Sequence, residues 1–121
     1  MKNILLFILL ALSVFTFSCS EDVIVGGCSG AQPRMQIVNH SSGKADVQIK
    51  TSGGSTENIN NILSGKSSEW RDFAVGSTEL TITIQGVANP IVHNVKTSNC
   101  CDYIVTIYYN NTVSTQSQPY I

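Results

Sequence analysis

Leu80-Thr81-Ile82-Thr83-Ile84-Gln85 decides the fold of this chain. Branched apolar side chains fall on every second residue, with Thr and Gln between them. That is the period of a half-buried strand and not of a helix. Branching at Cβ on both faces suits a pleated surface. Gly86-Val87-Ala88-Asn89-Pro90 then breaks the run, since Pro has no amide to donate and Gly and Asn favour a turn.

The same period extends outward on both sides. On the N-terminal side, residues 69–75 carry Trp70, Phe73 and Val75 and read as a strand ended by Gly76-Ser77. Residues 57–63, with Ile59, Ile62 and Leu63, read as a short edge strand before the turn Ser64-Gly65-Lys66. Thr51-Ser52-Gly53-Gly54-Ser55 is too rich in Gly and Ser to be anything but a loop. Before it, Ala45, Val47 and Ile49 face one way while Asp46, Gln48 and Lys50 face the other. Ser41-Ser42-Gly43-Lys44 is a turn, preceded by Met35, Ile37 and Asn39 alternating with Gln36, Val38 and His40.

On the C-terminal side, Ile91, His93 and Val95 mark a strand, and Thr97-Ser98-Asn99-Cys100-Cys101 a loop. Residues 102–109 place Tyr103, Val105, Ile107 and Tyr109 on one face. Asn110-Asn111 is a hairpin turn, because Asn tolerates positive φ, and residues 113–120 return. No stretch shows a useful helical period. Short strands with turns about every ten residues predict an all-β chain, a single immunoglobulin-like antiparallel β-sandwich of about seven or eight strands.

The first residues follow another logic. Met1-Lys2-Asn3 precedes an apolar run over residues 4–17, broken only by Ser13 and Thr16. About 14 residues suit a cleaved signal peptide, whereas a spanning helix needs about 20. Leu12-Ser13-Val14-Phe15-Thr16-Phe17-Ser18-Cys19 resembles a bacterial lipoprotein signal with its lipobox, though Thr16 and Phe17 depart from the usual residues. Ser20-Glu21-Asp22 is similar to the short acidic stretch that follows the Cys in surface-exported lipoproteins of the Bacteroidota. The resemblance implies cleavage before Cys19, acylation of that residue and an outer-membrane lipoprotein facing the cell exterior, the periplasmic face being the alternative. Each acyl CH₂ buried in a bilayer contributes about 0.8 kcal/mol, so several chains on one Cys hold a domain without a spanning helix. The expected organisation is a signal peptide over 1–18, a lipidated Cys with a flexible tether over 19–33, and the β-sandwich over 34–121. Gly26-Gly27-Cys28-Ser29-Gly30 supplies the flexibility.

Three segments resemble the bacterial cell-surface β-sandwich family known as domain of unknown function 4397. They are Arg34-Met35-Gln36-Ile37-Val38-Asn39-His40-Ser41, the stretch from Trp70-Arg71-Asp72-Phe73 through Leu80-Thr81-Ile82, and Asp102-Tyr103-Ile104-Val105-Thr106-Ile107. The resemblance implies a surface or envelope domain of no known activity. Aegerolysin-like membrane-active sandwiches share the same rhythm of strands.

Composition narrows the function. Seven Lys and Arg against eight Asp and Glu leave a formal charge of −1. The basic residues are scattered, so the clustered cations that neutralise phosphates are missing and no nucleic-acid partner is expected. No Gly-x-Ser-x-Gly or His-Glu-x-x-His occurs, and the carboxylates are dispersed. No catalytic residue, cofactor or metal site is therefore expected, and the chain reads as non-enzymatic. Beyond Cys19 stand Cys28, Cys100 and Cys101. An exported chain can hold disulfides, and adjacent cysteines rarely bridge each other, so Cys28 is expected to pair with Cys100 or Cys101. The Cys-Cys step lacks the spacing that lets both thiolates reach one metal ion.

Trp70, Tyr108 and Tyr120 are the candidates for a platform that stacks on a sugar or a peptide, set against a core role for Trp70 and Phe73. The leading function is a surface lipoprotein whose sandwich binds or presents a protein or glycan outside the cell, with the membrane contacted through lipid. A structural or accessory subunit of an envelope complex, pairing through a sheet edge, and a membrane-active sandwich are the alternatives.

Overall fold

The structure is a computed structural model that describes residues 31–119. Its strands are β1 Arg34–Asn39, β2 Ala45–Lys50, β3 Thr56–Ile62, β4 Lys66–Ser67, β5 Arg71–Asp72, β6 Gly76–Ile84, β7 Ile91–Thr97, β8 Cys101–Ile107 and β9 Val113–Pro119. The expected signal peptide over 1–18, Cys19 with Ser20, Glu21 and Asp22, Cys28, and Tyr120 lie outside the described residues.

The strands form two sheets. One runs β3-β2-β6-β7; the other runs β4-β1-β8-β9, with β5 also paired to β1. Every pairing is antiparallel except that of β1 with β8, where Arg34 lies opposite Asp102 and Asn39 opposite Ile107 in parallel register. The all-β sandwich expected from the alternation is thus the fold, with one parallel pair inside it.

The alternating pattern fills the space between the sheets. Met35, Ile37, Val105 and Ile107 from one sheet meet Val47, Ile49, Leu80, Ile82 and Ile84 from the other, all essentially without exposure. Burying each such side chain contributes about 1.5–3 kcal/mol relative to leaving it in water. Tyr103 joins this core, and its hydroxyl accepts a hydrogen bond from the Ser98 amide at 2.8 Å, so the ring is buried without an orphaned oxygen.

Residues 66–76 differ from the sequence expectation. Only Arg71 and Asp72 of the stretch 69–75 pair as a strand, and a second fragment, Lys66–Ser67, precedes them on the same edge of β1. Ser68 is the physical reason for the break. Its amide donates to the Ile37 carbonyl at 2.8 Å, while its hydroxyl accepts from the Ile37 amide at 2.9 Å. A side chain thereby takes a ladder position that a carbonyl would fill, and the backbone steps out of the sheet. Phe73 turns into the core, but Trp70 and Val75 stay 38% and 44% exposed, so the core role weighed for Trp70 does not hold.

Gly76-Ser77 opens β6 and does not end a strand. Gly76 has φ of +124°, and a Cβ there would lie 2.5 Å from the Ser52 hydroxyl oxygen. Only glycine enters that conformation at so close an approach.

The two ends of the sandwich are unlike each other. The loops 40–44, 63–65, 85–90 and 108–112 gather at one end, the crown, because β1, β3, β6 and β8 all finish there. Residues 31–33 enter at the opposite end, the base, where the Cys100 amide donates to the Ala31 carbonyl at 2.8 Å and the Phe73 amide to the Pro33 carbonyl at 2.9 Å.

Candidate binding surface

The crown is built on one buried amide. Asn39 falls on the inward face of β1, in line with Met35 and Ile37, and its side chain is fully buried. An amide offers two N–H donors and one carbonyl oxygen, and all are used. Nδ2 donates to the Gly43 carbonyl at 2.9 Å and to the Ile62 carbonyl at 2.8 Å. Oδ1 accepts from the Ser41 amide at 2.9 Å and from the Ser41 hydroxyl at 2.6 Å. The backbone continues the network, since the Gly65 amide donates to the Asn39 carbonyl at 2.7 Å and the Ser64 hydroxyl to the Ser41 carbonyl at 2.5 Å. One side chain therefore fixes the loop after β1 to the loop after β3, across the two sheets.

Two further bonds tie in the other loops. The Gln85 amide donates to the Lys44 carbonyl at 2.8 Å, and the His40 amide donates to the Ile107 carbonyl at 2.7 Å. The hairpin 108–112 closes on itself. The Tyr108 amide donates to the Thr112 carbonyl at 2.8 Å, Asn111 adopts φ of 64°, and the Thr112 hydroxyl bonds Asn110 Oδ1 at 2.6 Å. The Tyr108 hydroxyl is held to Ser114 at 2.9 Å.

On this pinned frame most side chains that reach solvent are aromatic, apolar or uncharged polar, with Lys66 exposed at the margin. Tyr109 is 80% exposed and Leu63 56%, with His40, Ser42, Asn89, Pro90 and Asn110 around them. The four loops contain no carboxylate, and Lys44, half-buried, is their only lysine. Tyr, Ser, Asn and Gly on rigid loops are the residues from which recognition surfaces of antibody type are made, because they offer contact area and adaptable hydrogen bonds at small entropic cost.

Of the aromatic residues singled out in sequence, Tyr108 stands at the crown and Trp70 does not. Trp70 stacks on the Arg34 guanidinium, 5.4 Å from ring centre to carbon, and Arg34 holds Asp102 through a bidentate pair at 2.8 and 2.7 Å. Arg34 and Asp102 begin β1 and β8 near the base, whereas Tyr108 follows the end of β8. At about 3.3 Å per residue this puts the Arg34–Trp70 stack roughly 20 Å from Tyr108, too far for one platform. Beside Trp70, the gap between Arg34 and Asp72 is an open cleft of about 360 Å³. A second shallow groove of about 450 Å³ runs between the edges of β3 and β4, past Asn60, Lys66, Ser67 and Arg71, and reaches the crown at Leu63.

Sequence reasoning named neither Tyr109 nor Leu63 as contact residues. The available signal was their place beside turns, Tyr109 before Asn110-Asn111 and Leu63 before Ser64-Gly65, where a strand period no longer dictates burial.

The remaining chemistry is sparse. Neither Cys100 nor Cys101 is a free thiol, and both are buried, Cys101 within the core cluster. His93, on the edge strand β7, bonds Thr115 of β9 at 2.6 Å and so links the two sheets at their open side. Burial lowers its pKa below the ordinary 6.5. Among the described residues no group of His, Cys, Asp and Glu is arranged to hold a metal ion, and no helix is long and apolar enough to cross a membrane. Compared with known proteins, the chain matches no family model and no curated protein.

Proposed function

We propose that this chain is a non-enzymatic, lipid-anchored outer-membrane protein that recognises a partner outside the cell through the crown of its β-sandwich. One observation carries the reading: the backbone enters at the base, beside Cys100, while the uncharged aromatic crown occupies the opposite end. An acyl anchor on Cys19 therefore holds the base toward the membrane and turns the crown away from it. Ser20-Glu21-Asp22 supports export to the outer face, and Gly26-Gly27 gives the tether reach.

Cys28 limits that reach. Its bridge to Cys100 or Cys101 is part of the proposal, supported by the bond from the Cys100 amide to Ala31, three residues beyond Cys28; both Cys100 and Cys101 are disulfide-bonded, and with Cys19 acylated Cys28 cannot serve both, so the competing pairing is Cys100 with Cys101. The Cys28 bridge clamps the tether to the base, and peptide mass spectra taken without reduction should contain the cross-linked pair. Spectra with Cys28 always as a free thiol remove it.

Globomycin, which blocks lipoprotein signal cleavage, should accumulate the uncleaved chain, and replacing Cys19 by Ala should release the domain from membranes. Protease added to intact cells should remove it. A chain that is cleaved and acylated but protected until the outer membrane is opened faces the periplasm instead.

A further inference from the structure

We infer that the groove between the edges of β3 and β4 binds an extended, acidic segment of a partner protein through Lys66 and Arg71. The pairing register brings these two side chains to it. Residues directly opposite each other in a ladder send their side chains to one face of the sheet. Lys66 lies opposite Asn39 and Arg71 opposite Met35, and both Asn39 and Met35 point into the sandwich. The two cations therefore occupy inward positions, where alternation elsewhere places apolar side chains. Both stay exposed, because they stand where one sheet edge opens toward the other. Lys50 and Lys96, by contrast, stand on outward faces. Among the described residues neither Lys66 nor Arg71 is paired with a carboxylate, and Arg71 makes one long bond, to the Asn58 carbonyl at 3.5 Å. An inward charge can serve only to guard an edge against strand addition. This edge is already broken at Ser68 into two-residue fragments, so two guards of one sign have little left to protect.

The groove has the size and spacing for such a segment. It holds about 450 Å³, with the buried Ile59 and Ile62 among its lining residues. Asn60, Asn61 and Ser67 expose amides and a hydroxyl that can meet a peptide backbone in place of a ladder. Met35 and Asn39 are four residues apart on β1, a span of about 13 Å at 3.3 Å per residue. The first and fifth residues of an extended chain have the same span and face the same way. Carboxylates at those two positions meet the two cations together. Glu69, the one carboxylate lining the groove, lies between the cations in sequence, so the residue midway between the ligand's acids should be uncharged or basic. This site needs neither the lipid anchor nor Tyr109, and its failure leaves the reading above standing.

The test uses the full chain in a neutral detergent and a fluorescein-labelled, capped peptide Glu-Thr-Ser-Thr-Glu, with binding read by anisotropy. Raising salt from about 0.05 M to about 0.5 M should weaken binding about tenfold, since screening shortens to a few Å. Lys66→Gln and Arg71→Gln should each weaken it about threefold and together about tenfold; Lys50→Gln on the flank should not. A peptide with Gln at both ends, or with its two acids adjacent, should bind about tenfold more weakly. The decisive variant carries Lys66→Glu and Arg71→Glu together. It should lose the acidic peptide and gain one with Lys at the first and fifth positions, a reversal that a merely structural role for the cations cannot produce. Circular dichroism confirms that each variant keeps the fold. No binding at about 1 mM peptide, equal binding of the Gln peptide, or no reversal would overturn the inference. Displacement by a short oligonucleotide at lower concentration than by the unlabelled peptide would also overturn it, by reassigning the cations to phosphate.

Discussion

Replacing Asn39 by Ala removes the side chain on which the crown is hung. Nothing of the amide is exposed, so water does not already share its bonds. Two groups lose their partners: the Ile62 carbonyl, which accepts from Nδ2 at 2.8 Å, and the Ser41 amide, which donates to Oδ1 at 2.9 Å. The Gly43 carbonyl keeps the Ser41 hydroxyl at 3.0 Å, and that hydroxyl keeps Gly43 in turn. Each buried group left unpaired costs about 1–3 kcal/mol, and a water entering the vacated space recovers part of it. The expected loss is about 3 kcal/mol. Urea unfolding followed by far-ultraviolet circular dichroism should show the midpoint falling by roughly 1.5–2 M with an unchanged slope, taking the slope as about 1.5–2 kcal/mol per M. Asn39→Asp should be at least as damaging at neutral pH, because both donors vanish and a carboxylate is turned toward two carbonyl oxygens. A loss below about 1 kcal/mol for Asn39→Ala would show that the loops are held by their own backbone bonds, and the account of a pre-set crown would fail.

Leu80→Ala empties a fully buried site on the central strand β6 and should cost about 3 kcal/mol, read as a lower urea midpoint; a loss under about 1 kcal/mol would mean that the sheets collapse onto the gap. Gly76→Ala forces an L residue into φ of +124° with its Cβ against Ser52, and thermal unfolding should register a loss of about 2 kcal/mol. His93 makes stability depend on pH. Its folded pKa is lowered by burial, so the unfolded chain takes up the proton first as pH falls; the contribution is complete above about 6.5 and is lost as pH drops through the lowered value. Melting temperatures should decline on acidification below 6.5, and His93→Gln should lessen that decline; an identical decline in the variant assigns it to other groups.

The strands were legible wherever one face is apolar and the other polar, as in Ala45–Lys50 and Gly76–Ile84. Alternation reports which face a side chain takes, and that is the property that burial fixes. It also set Asn39 on the same face as Met35 and Ile37, a polar residue at a core position just before a turn. What alternation cannot report is partner choice. The parallel pairing of β1 with β8 and the broken edge at Ser68 depend on which strands meet, not on their own patterns. Trp70 was ambiguous for a related reason. Its size argues for burial, but stacking on Arg34 lets one face be covered while the other stays wet, and nothing near it in sequence announces a cation about 36 residues away.

The sheet edges bear on whether this domain works through its crown or by lending an edge to another chain. An edge invites strand addition when it is long, flat and regular. β4 and β5 are two-residue fragments separated by the step at Ser68. β3 shifts register opposite Ala45 and Val47, where Asn61 takes φ of 63° and gives its amide to Asp46 at 2.7 Å, so its middle is both bent and already bonded. β7 and β9 are regular, each of seven residues, but they lie one over the other and are joined by the His93–Thr115 bond, and β9 ends in Pro119, which has no amide to offer. On the β3 and β4 side the backbone discourages an added strand, and on the β7 and β9 side it leaves a short one. The crown suffers neither restriction. It presents side chains instead of a ladder, its frame is pinned by the Asn39 network with only Asn111 Oδ1 left buried and unbonded among the described crown residues, and Tyr109 and Leu63 stand exposed on it. Recognition by side chains at the crown is therefore the economical use of this sandwich, and a variant such as Tyr109→Glu, which leaves every strand untouched, is the change that separates the two modes.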